Sequence, residues 1–423
     1  MQPGAVPPEL AQAQALLRAG GAAEAEALCH AALARNTGDA SAWLLLGVIA
    51  LQGGNLLYAE AVVRRALSLR PESEEAVSAL VAILKRAGRH AEVEVVLRSA
   101  APKQAGRGIH AQLELAELQR ERGAFAEAEA TLRQALSTDG SSADAWHALG
   151  LLRSAQGETA AAEASFRRAL ELQPNFVAAL INLGSLKAGL ERFAEAIPFY
   201  DRALALAPEH AVGHWNRALA LLTLGDYVAA WRDYDWRWRV PELVQSAEVK
   251  VLERRWRGEP AAGRIVLLHS EQGIGDTIQL ARYAPLVARQ GARVVLAVQP
   301  AVVSLLAQLK GLDRVMSVTN PLPPYDLQAS LPDLPGLFGT SLETIPDPRG
   351  YLRADPARAA RWRERLGAEG RRKIGLIWAG NPRHRDDRFR SIALEALEPL
   401  LRRDDVAWFS LQVGERAKEL AAA

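Results

Sequence analysis

The chain has 423 residues, 49% of them apolar and 24% charged, with a formal net charge of +2 and one cysteine. That balance belongs to a folded globular protein with room for two or three domains; it excludes a disordered chain and gives no basis for nucleic acid as the partner of the whole molecule. Cys29 alone can form neither an intramolecular disulfide nor a thiolate metal cage.

From the N-terminus, Met1 to Leu10 has neither the basic cluster nor the apolar core of a signal peptide. The longest apolar run, Ala42 to Leu51, is about half a membrane span, so a cytoplasmic protein with no membrane span is expected. Over roughly the first 240 residues one register then returns at a period of about 34. Trp43, Trp146, Leu180 and His214 share one phase. Leu46-Gly47, Leu149-Gly150 and Leu183-Gly184 follow three residues on, then Ala59, Ala162 and Ala196, then Ala66, Ala169 and Ala203, and Pro71, Pro174 and Pro208 close the units. Units begin near residues 6, 40, 74, 109, 143, 177 and 211; the third keeps its turn at Gly88 but loses most signature residues. The pattern resembles the tetratricopeptide repeat, in which small residues let two antiparallel helices touch and Pro ends the pair. Such a unit cannot bury its own apolar face, so stacking into a solenoid over residues 6–244 is expected. Cys29 falls at a helix-packing position of this frame.

The last unit ends in Tyr227, Trp231, Tyr234 and Trp238, whose spacing of four, three and four predicts four rings on one face of its second helix. Either this helix caps the solenoid or it bolts the solenoid to the next domain; four large rings exceed what a cap needs and favour the bolt. After Pro241 the period stops, and the polar stretch 245–262 reads as a linker.

From residue 263 the grammar changes. Arg264 to Ser270 is a short, nearly all-apolar run bounded by glycine, the mark of a strand buried on both faces. A glycine turn through Gly273, Gly275 and Asp276 follows, then a predicted helix from Thr277 to Gln290, a strand from Ala292 to Gln299, a helix from Ala301 to Lys310, and strands at Arg314 to Val318 and Tyr325 to Ser330. This alternation predicts a doubly wound parallel sheet, Rossmann-like, over 263–365. A Pro-rich stretch from Pro321 to Pro356 loosens the pattern. Strands at Lys373 to Ala379 and Val406 to Gln412 open a second such unit, 366–423, which reads as incomplete.

In a doubly wound sheet ligands gather beyond the carboxyl ends of the strands, which directs attention to the turn after the first strand. A dinucleotide fingerprint is excluded: the third glycine would stand at Ile278, and the second strand ends in Gln299 where an acid is required. Asp276 beside glycine N–H groups has two readings, a helix cap or a functional acid. Between Arg371 and Arg390 seven Lys or Arg stand against two Asp. Asn381, Arg383, His384, Arg385, Arg388 and Arg390 are either a phosphate-binding cluster or a solvated loop. Asp233-Tyr234-Asp235 mimics a metal-binding pair, but on a helix residues two apart diverge, and no metal site is expected. In the repeat groove, Asn182 and Asn216 occupy one register and can grip an extended peptide backbone, unless they are a chance pair of surface amides.

The segments EQGIGDTIQLARY, IGLIWAGNPRHRDDRFRSI and WRDYDWRW are similar to those of bacterial proteins that join tetratricopeptide repeats to a heptosyltransferase-like GT-B glycosyltransferase domain, here truncated in the second lobe. The layout also resembles protein O-GlcNAc transferases. The resemblance implies a metal-independent glycosyltransferase with no tightly bound cofactor and a nucleotide sugar as donor substrate. By it Asp276 is the catalytic base, Gly273 and Gly275 give the ligand room, Asn381, Arg388 and Arg390 face the donor diphosphate, and Asn182 and Asn216 bind a protein or peptide acceptor. The alternative is a non-catalytic protein-interaction scaffold.

Overall fold

The computed structural model describes residues 7–100, 109–246, 253–346, 350–367, 370–382, 387 and 390–421. Up to Tyr234 these residues form seven helical hairpins: α1 (Pro8–Arg18) with α2 (Ala22–Arg35), α3 (Ala40–Gln52) with α4 (Leu56–Leu69), α5 (Glu74–Arg86) with α6 (His90–Ala100), α7 (Ile109–Glu121) with α8 (Phe125–Thr138), α9 (Ala143–Ala155) with α10 (Thr159–Leu172), α11 (Val177–Gly189) with α12 (Phe193–Leu206), and α13 (Ala211–Leu224) with α14 (Tyr227–Tyr234). Polar residues before the first helices start them: Asp39 accepts from the N–H of Ser41 and Ala42, Ser73 from that of Ala76 and Ser142 from that of Ala145.

The repeat glycines mark where the two helices of a hairpin touch. A Cβ on Gly150 would stand 2.5 Å from the Phe166 ring and one on Gly184 2.7 Å from the Tyr200 ring, and both rings are buried. In the first hairpin Ala13 and Cys29 hold the corresponding places, both fully buried. Burial pushes the Cys29 thiol up to about 11, as expected of an inert core cysteine.

A second periodic feature stitches one hairpin to the next. Glu60 pairs with Arg64 on its own helix and with Arg89 of the following unit; Glu94 does the same with Arg98 and Arg122, Glu129 with Arg133 and Arg153, and Glu163 with Arg167 and Lys187.

The last hairpin departs from expectation. α14 stops at Tyr234 and the chain tightens into a 3₁₀ segment, Asp235–Arg239, before α15 (Pro241–Ser246). Trp238 therefore does not share a helical face with Tyr227, Trp231 and Tyr234. The rings still bolt the solenoid to the next domain: Trp231 Nε1 donates to the Thr340 carbonyl at 2.7 Å and its ring lies against Gly336.

That domain is a four-stranded parallel sheet, β1 (Ile265–His269), β2 (Arg293–Val298), β3 (Arg314–Ser317) and β4 (Leu327–Ser330), in the order β3-β2-β1-β4. Leu267 is level with Val295 and with Gln328. β1 is buried on both faces, Val266 and Leu268 meeting Val294, Leu296 and Val298 on one side and Leu267 meeting Val295, Ala297 and Met316 on the other. The expected single helix after β1 is α16 (Ile274–Leu280), a 3₁₀ turn at Ala281–Tyr283 and α17 (Ala284–Arg289); Pro285 in the latter carries no N–H to continue the ladder. The expected helix from Ala301 to Lys310 shortens to a 3₁₀ turn and α18 (Val303–Leu306). After β4 come α19 (Leu334–Leu337) and α20 (Pro356–Leu366).

The described part of the stretch read as a linker belongs to this domain from its start. The Trp256 N–H donates to the Gln328 carbonyl, the Gln328 N–H to the Arg254 carbonyl, and Trp256 and Ala261 sit in the sheet's core. β5 (Arg372–Leu376) and β6 (Val406–Ser410) pair in parallel as a separate two-stranded sheet.

Candidate functional site

The carboxyl ends of β1 and β4 meet the end of the solenoid. β1 closes with His269, whose Nε2 is 2.9 Å from Gln328 Oε1, and Ser270, whose N–H donates to the Ala297 carbonyl. Gln299, at the end of β2, ties the following turn from below: its Nε2 donates to the Gln272 carbonyl and its Oε1 accepts from the Thr277 hydroxyl. The side chain whose type excluded a dinucleotide is thus a brace for the turn.

From above, the solenoid supplies Arg237. Its side chain is 2% exposed and grips Glu271 with Nε and Nη2, both at 2.8 Å, while Nη2 also reaches Ser330 Oγ at 3.0 Å and Asp333 Oδ1. The guanidinium lies 4.6 Å from the centre of the Tyr234 ring and 4.8 Å from that of Trp238. Arg255 shares Asp333 at 2.9 Å. Burial alone would push the Asp333 carboxyl up, but the charges of Arg237 and Arg255 outweigh it and hold the group below the usual range. Burial pushes the Tyr234 hydroxyl up to about 12, where it accepts from Gln272 Nε2 at 3.2 Å.

Between these two bodies lies a cavity of about 500 Å³. The solenoid gives it Trp215, Leu219, Tyr227, Trp231 and Tyr234, and the sheet domain gives it Glu271, Gln272, Asp276, Arg282 and Tyr283. This apolar, aromatic hollow with a few convergent polar groups has the makeup of a small-molecule or side-chain site.

Asp276 lines this cavity. It is the third residue of α16, whose N-cap is Gly273 with no side-chain cap, so the reading of Asp276 as the cap is not what the structure holds. Gly275 lies inside the helix, with nothing within 4 Å of the place a Cβ would take, and Gly273 faces the Asp276 carboxylate. Asn381 and Arg390 are exposed, follow β5 and are not among the residues lining the cavity, so the structure does not bring them to Asp276. Arg383, His384, Arg385 and Arg388 lie outside the described residues.

In the groove, Asn182 and Asn216 are both half-buried and each is already tied to the preceding repeat, Asn182 Nδ2 to His147 Nε2 at 2.8 Å and Asn216 Nδ2 to Ser185 Oγ at 3.1 Å. Burial holds His147 below its usual value, consistent with a neutral ring accepting that N–H. Each amide thus brings one N–H fewer to a peptide than expected. Asp233, of the rejected metal-binding pair, is buried and held by Arg217 at 2.6 Å and His214 at 2.7 Å.

Residues 10–74, 147–211 and 181–235 match one tetratricopeptide-repeat family profile, and residues 109–152 match a second. The N-terminal solenoid is built of tetratricopeptide repeats. Among curated proteins, Protein FlbA of Caulobacter vibrioides is 27% identical over 237 residues, 49% of this chain and 38% of FlbA, so the match spans little more than a third of that relative. Among solved structures, one that the chain is similar to is a tetratricopeptide repeat protein from Parabacteroides merdae, 15% identical with a TM-score of 0.44 over 54% of this chain and 90% of that one. Another is PilF of Pseudomonas aeruginosa, 19% identical with a TM-score of 0.41 over 49% and 94%. None of the described helices is long and apolar enough to cross a membrane.

Sequence reasoning missed Arg237, Glu271 and Asp333 as one constellation. The signal lay in WRDYDWRW, an arginine between two tryptophans, but its partners are 34 and 96 residues away and only the fold joins them.

Proposed function

We propose that the repeats recruit a polypeptide and present a hydroxyl of it to the cavity beyond β1, where the sheet domain serves as the acceptor side of a GT-B glycosyltransferase. The observation that supports this is the position of Asp276: its side chain borders a hollow whose opposite wall is the last repeat hairpin, so an acceptor held by the solenoid and the acid share one space. In the reaction the acceptor oxygen bonds to the anomeric carbon of a nucleotide sugar, the bond from that carbon to the diphosphate breaks, the hydroxyl proton passes to Asp276 and the nucleoside diphosphate leaves. Asn381, Arg388 and Arg390 are assigned to the donor phosphates by resemblance. For the two described residues, Asn381 and Arg390, this requires the β5–β6 part to close over the turn after β1.

That separation favours a second reading, in which the solenoid binds a partner and the sheet domain is a rigid, non-catalytic stop. Calorimetry of the full chain with a panel of nucleotide sugars at millimolar concentration separates the two; absence of heat with every donor sinks the enzyme. Where transfer is detected, Asp276→Asn abolishes it while unfolding stability stays within about 1 kcal/mol, because Asp276 is not the cap of its helix. Persisting transfer in that variant removes the base assignment.

A further inference from the structure

We infer that Arg237 is a positioning residue through which the solenoid sets the conformation of the turn carrying Asp276, so that the repeats complete the site and do more than recruit to it. The inference takes its functional meaning from the reading of Asp276 above, but its physical content stands on geometry alone.

Arg237 belongs to the 3₁₀ segment that ends the repeats, and it is among the largest fully buried side chains of the protein. A buried cation is costly unless its donors are used, and here the fork is used on both neighbouring strands. Two parallel N–H bonds hold Glu271, the second residue past β1, and Nη2 also reaches Ser330 and Asp333 at the end of β4. β1 and β4 are adjacent in the sheet, so one guanidinium from the solenoid pins both carboxyl ends. The next residue is caught as well, Gln272 by the Tyr234 hydroxyl from the solenoid and by Gln299 from the sheet. Consecutive residues 271 and 272 are thereby fixed from the repeat side. Four residues beyond Gln272, with Gly273 and Gly275 between them, comes Asp276. Gly273 is the N-cap of α16 and Gly275 lies in its first turn, so the entry of this short helix has few side-chain contacts of its own and is held in place by these tethers. Lysine cannot substitute for the fork, since an ammonium is a point charge without the planar pair of donors that matches a carboxylate edge.

The test is hydrogen–deuterium exchange on the full chain carrying Arg237→Lys or Glu271→Gln, with helicity checked by circular dichroism. In both variants the amides of residues 277–280, hydrogen-bonded where the turn passes into α16, are expected to exchange at least about tenfold faster while those of 266–268 and 294–297 keep their rates. Tyr234→Phe removes only the hydroxyl to Gln272, provides a milder variant if the first two fail to fold, and is expected to accelerate the same amides by a smaller factor. Unchanged exchange at the turn, or acceleration spread evenly through the sheet domain, overturns the inference by making Arg237 an ordinary stabiliser. If the wild-type chain transfers sugar, Arg237→Lys lowers kcat about tenfold with the acceptor KM unchanged. If it transfers none, the glycosyltransferase reading fails and the exchange experiment still decides whether the clamp exists.

Discussion

At Gly184 a single hydrogen atom decides whether two helices can approach. A methyl there would come within 2.7 Å of Cε1 of the Tyr200 ring, which is 1% exposed and hydrogen-bonded to Ser185, so the ring has nowhere to retreat. Alanine gains about 1 kcal/mol of helix propensity over glycine, but overpacking a filled core costs about 1–3 kcal/mol, and the balance is destabilising. Urea unfolding of Gly184→Ala is therefore expected to show a lower midpoint at unchanged slope. This contact was legible in the sequence, because the 34-residue period repeats the same small residue opposite the same helix. Arg237 was not legible. A lone arginine in an aromatic, charged run has no periodic partner, and the carboxylates that define its role come from strand ends far along the chain. Asp276 stands between these cases: the turn after a buried strand located it, but the cavity it lines is half built from solenoid side chains that no local pattern connects to it.

Elements were read well where their boundaries rest on a repeated or apolar signal. The first helices of the second to seventh hairpins begin at residues 40, 74, 109, 143, 177 and 211. β1 to β4 fall inside the predicted strands. Reading failed where one residue overrides the pattern: Pro285 interrupts the helix after β1, and a single Trp256 in the polar stretch ERRWRGEP carries that segment into the sheet's core. The ion pairs between hairpins were also hidden, since charges on a helix face look alike whether they meet water or the next unit. Lys187 shows that one such pair is structural. Its side chain is 3% exposed, 2.7 Å from Glu163 and 3.6 Å from Glu195. Removing Glu163 as Glu163→Gln leaves a buried ammonium with only the more distant acid, at a cost of up to about 3 kcal/mol, whereas Lys187→Met removes the cation and fills the space with an apolar chain at little or no cost. Chemical denaturation of the two variants is expected to give this asymmetry; equal losses would mean that the pair itself supplies the stability.

For the molecule as a whole, the joint between the repeats and the sheet domain is an electrostatic lock, and its pH dependence has a definite sign. Asp333, 5% exposed, is buried between Arg237 and Arg255, with its carboxyl held below the usual range once their charges overcome the effect of burial. A carboxyl with a depressed folded value binds fewer protons folded than unfolded, so its contribution is complete above the unfolded value of about 3.9 and disappears as the pH falls from there through the folded value. Between pH 7 and 5 the joint is therefore expected to be insensitive to acid, and below about pH 4 to loosen. The helices of the distal repeats have their own packed cores and do not depend on Asp333. Loosening should accordingly appear as a loss of the signal from Trp231 and Trp238 at the joint before far-UV helicity falls. Asp333→Asn checks the assignment. It keeps the shape but leaves Arg237 and Arg255 short of a counter-charge, so it should cost about 2–3 kcal/mol at pH 7 and flatten the acid limb of the curve. A variant as stable as wild type at pH 7 that still loosens with the same acid profile would show that the lock lies elsewhere in the interface.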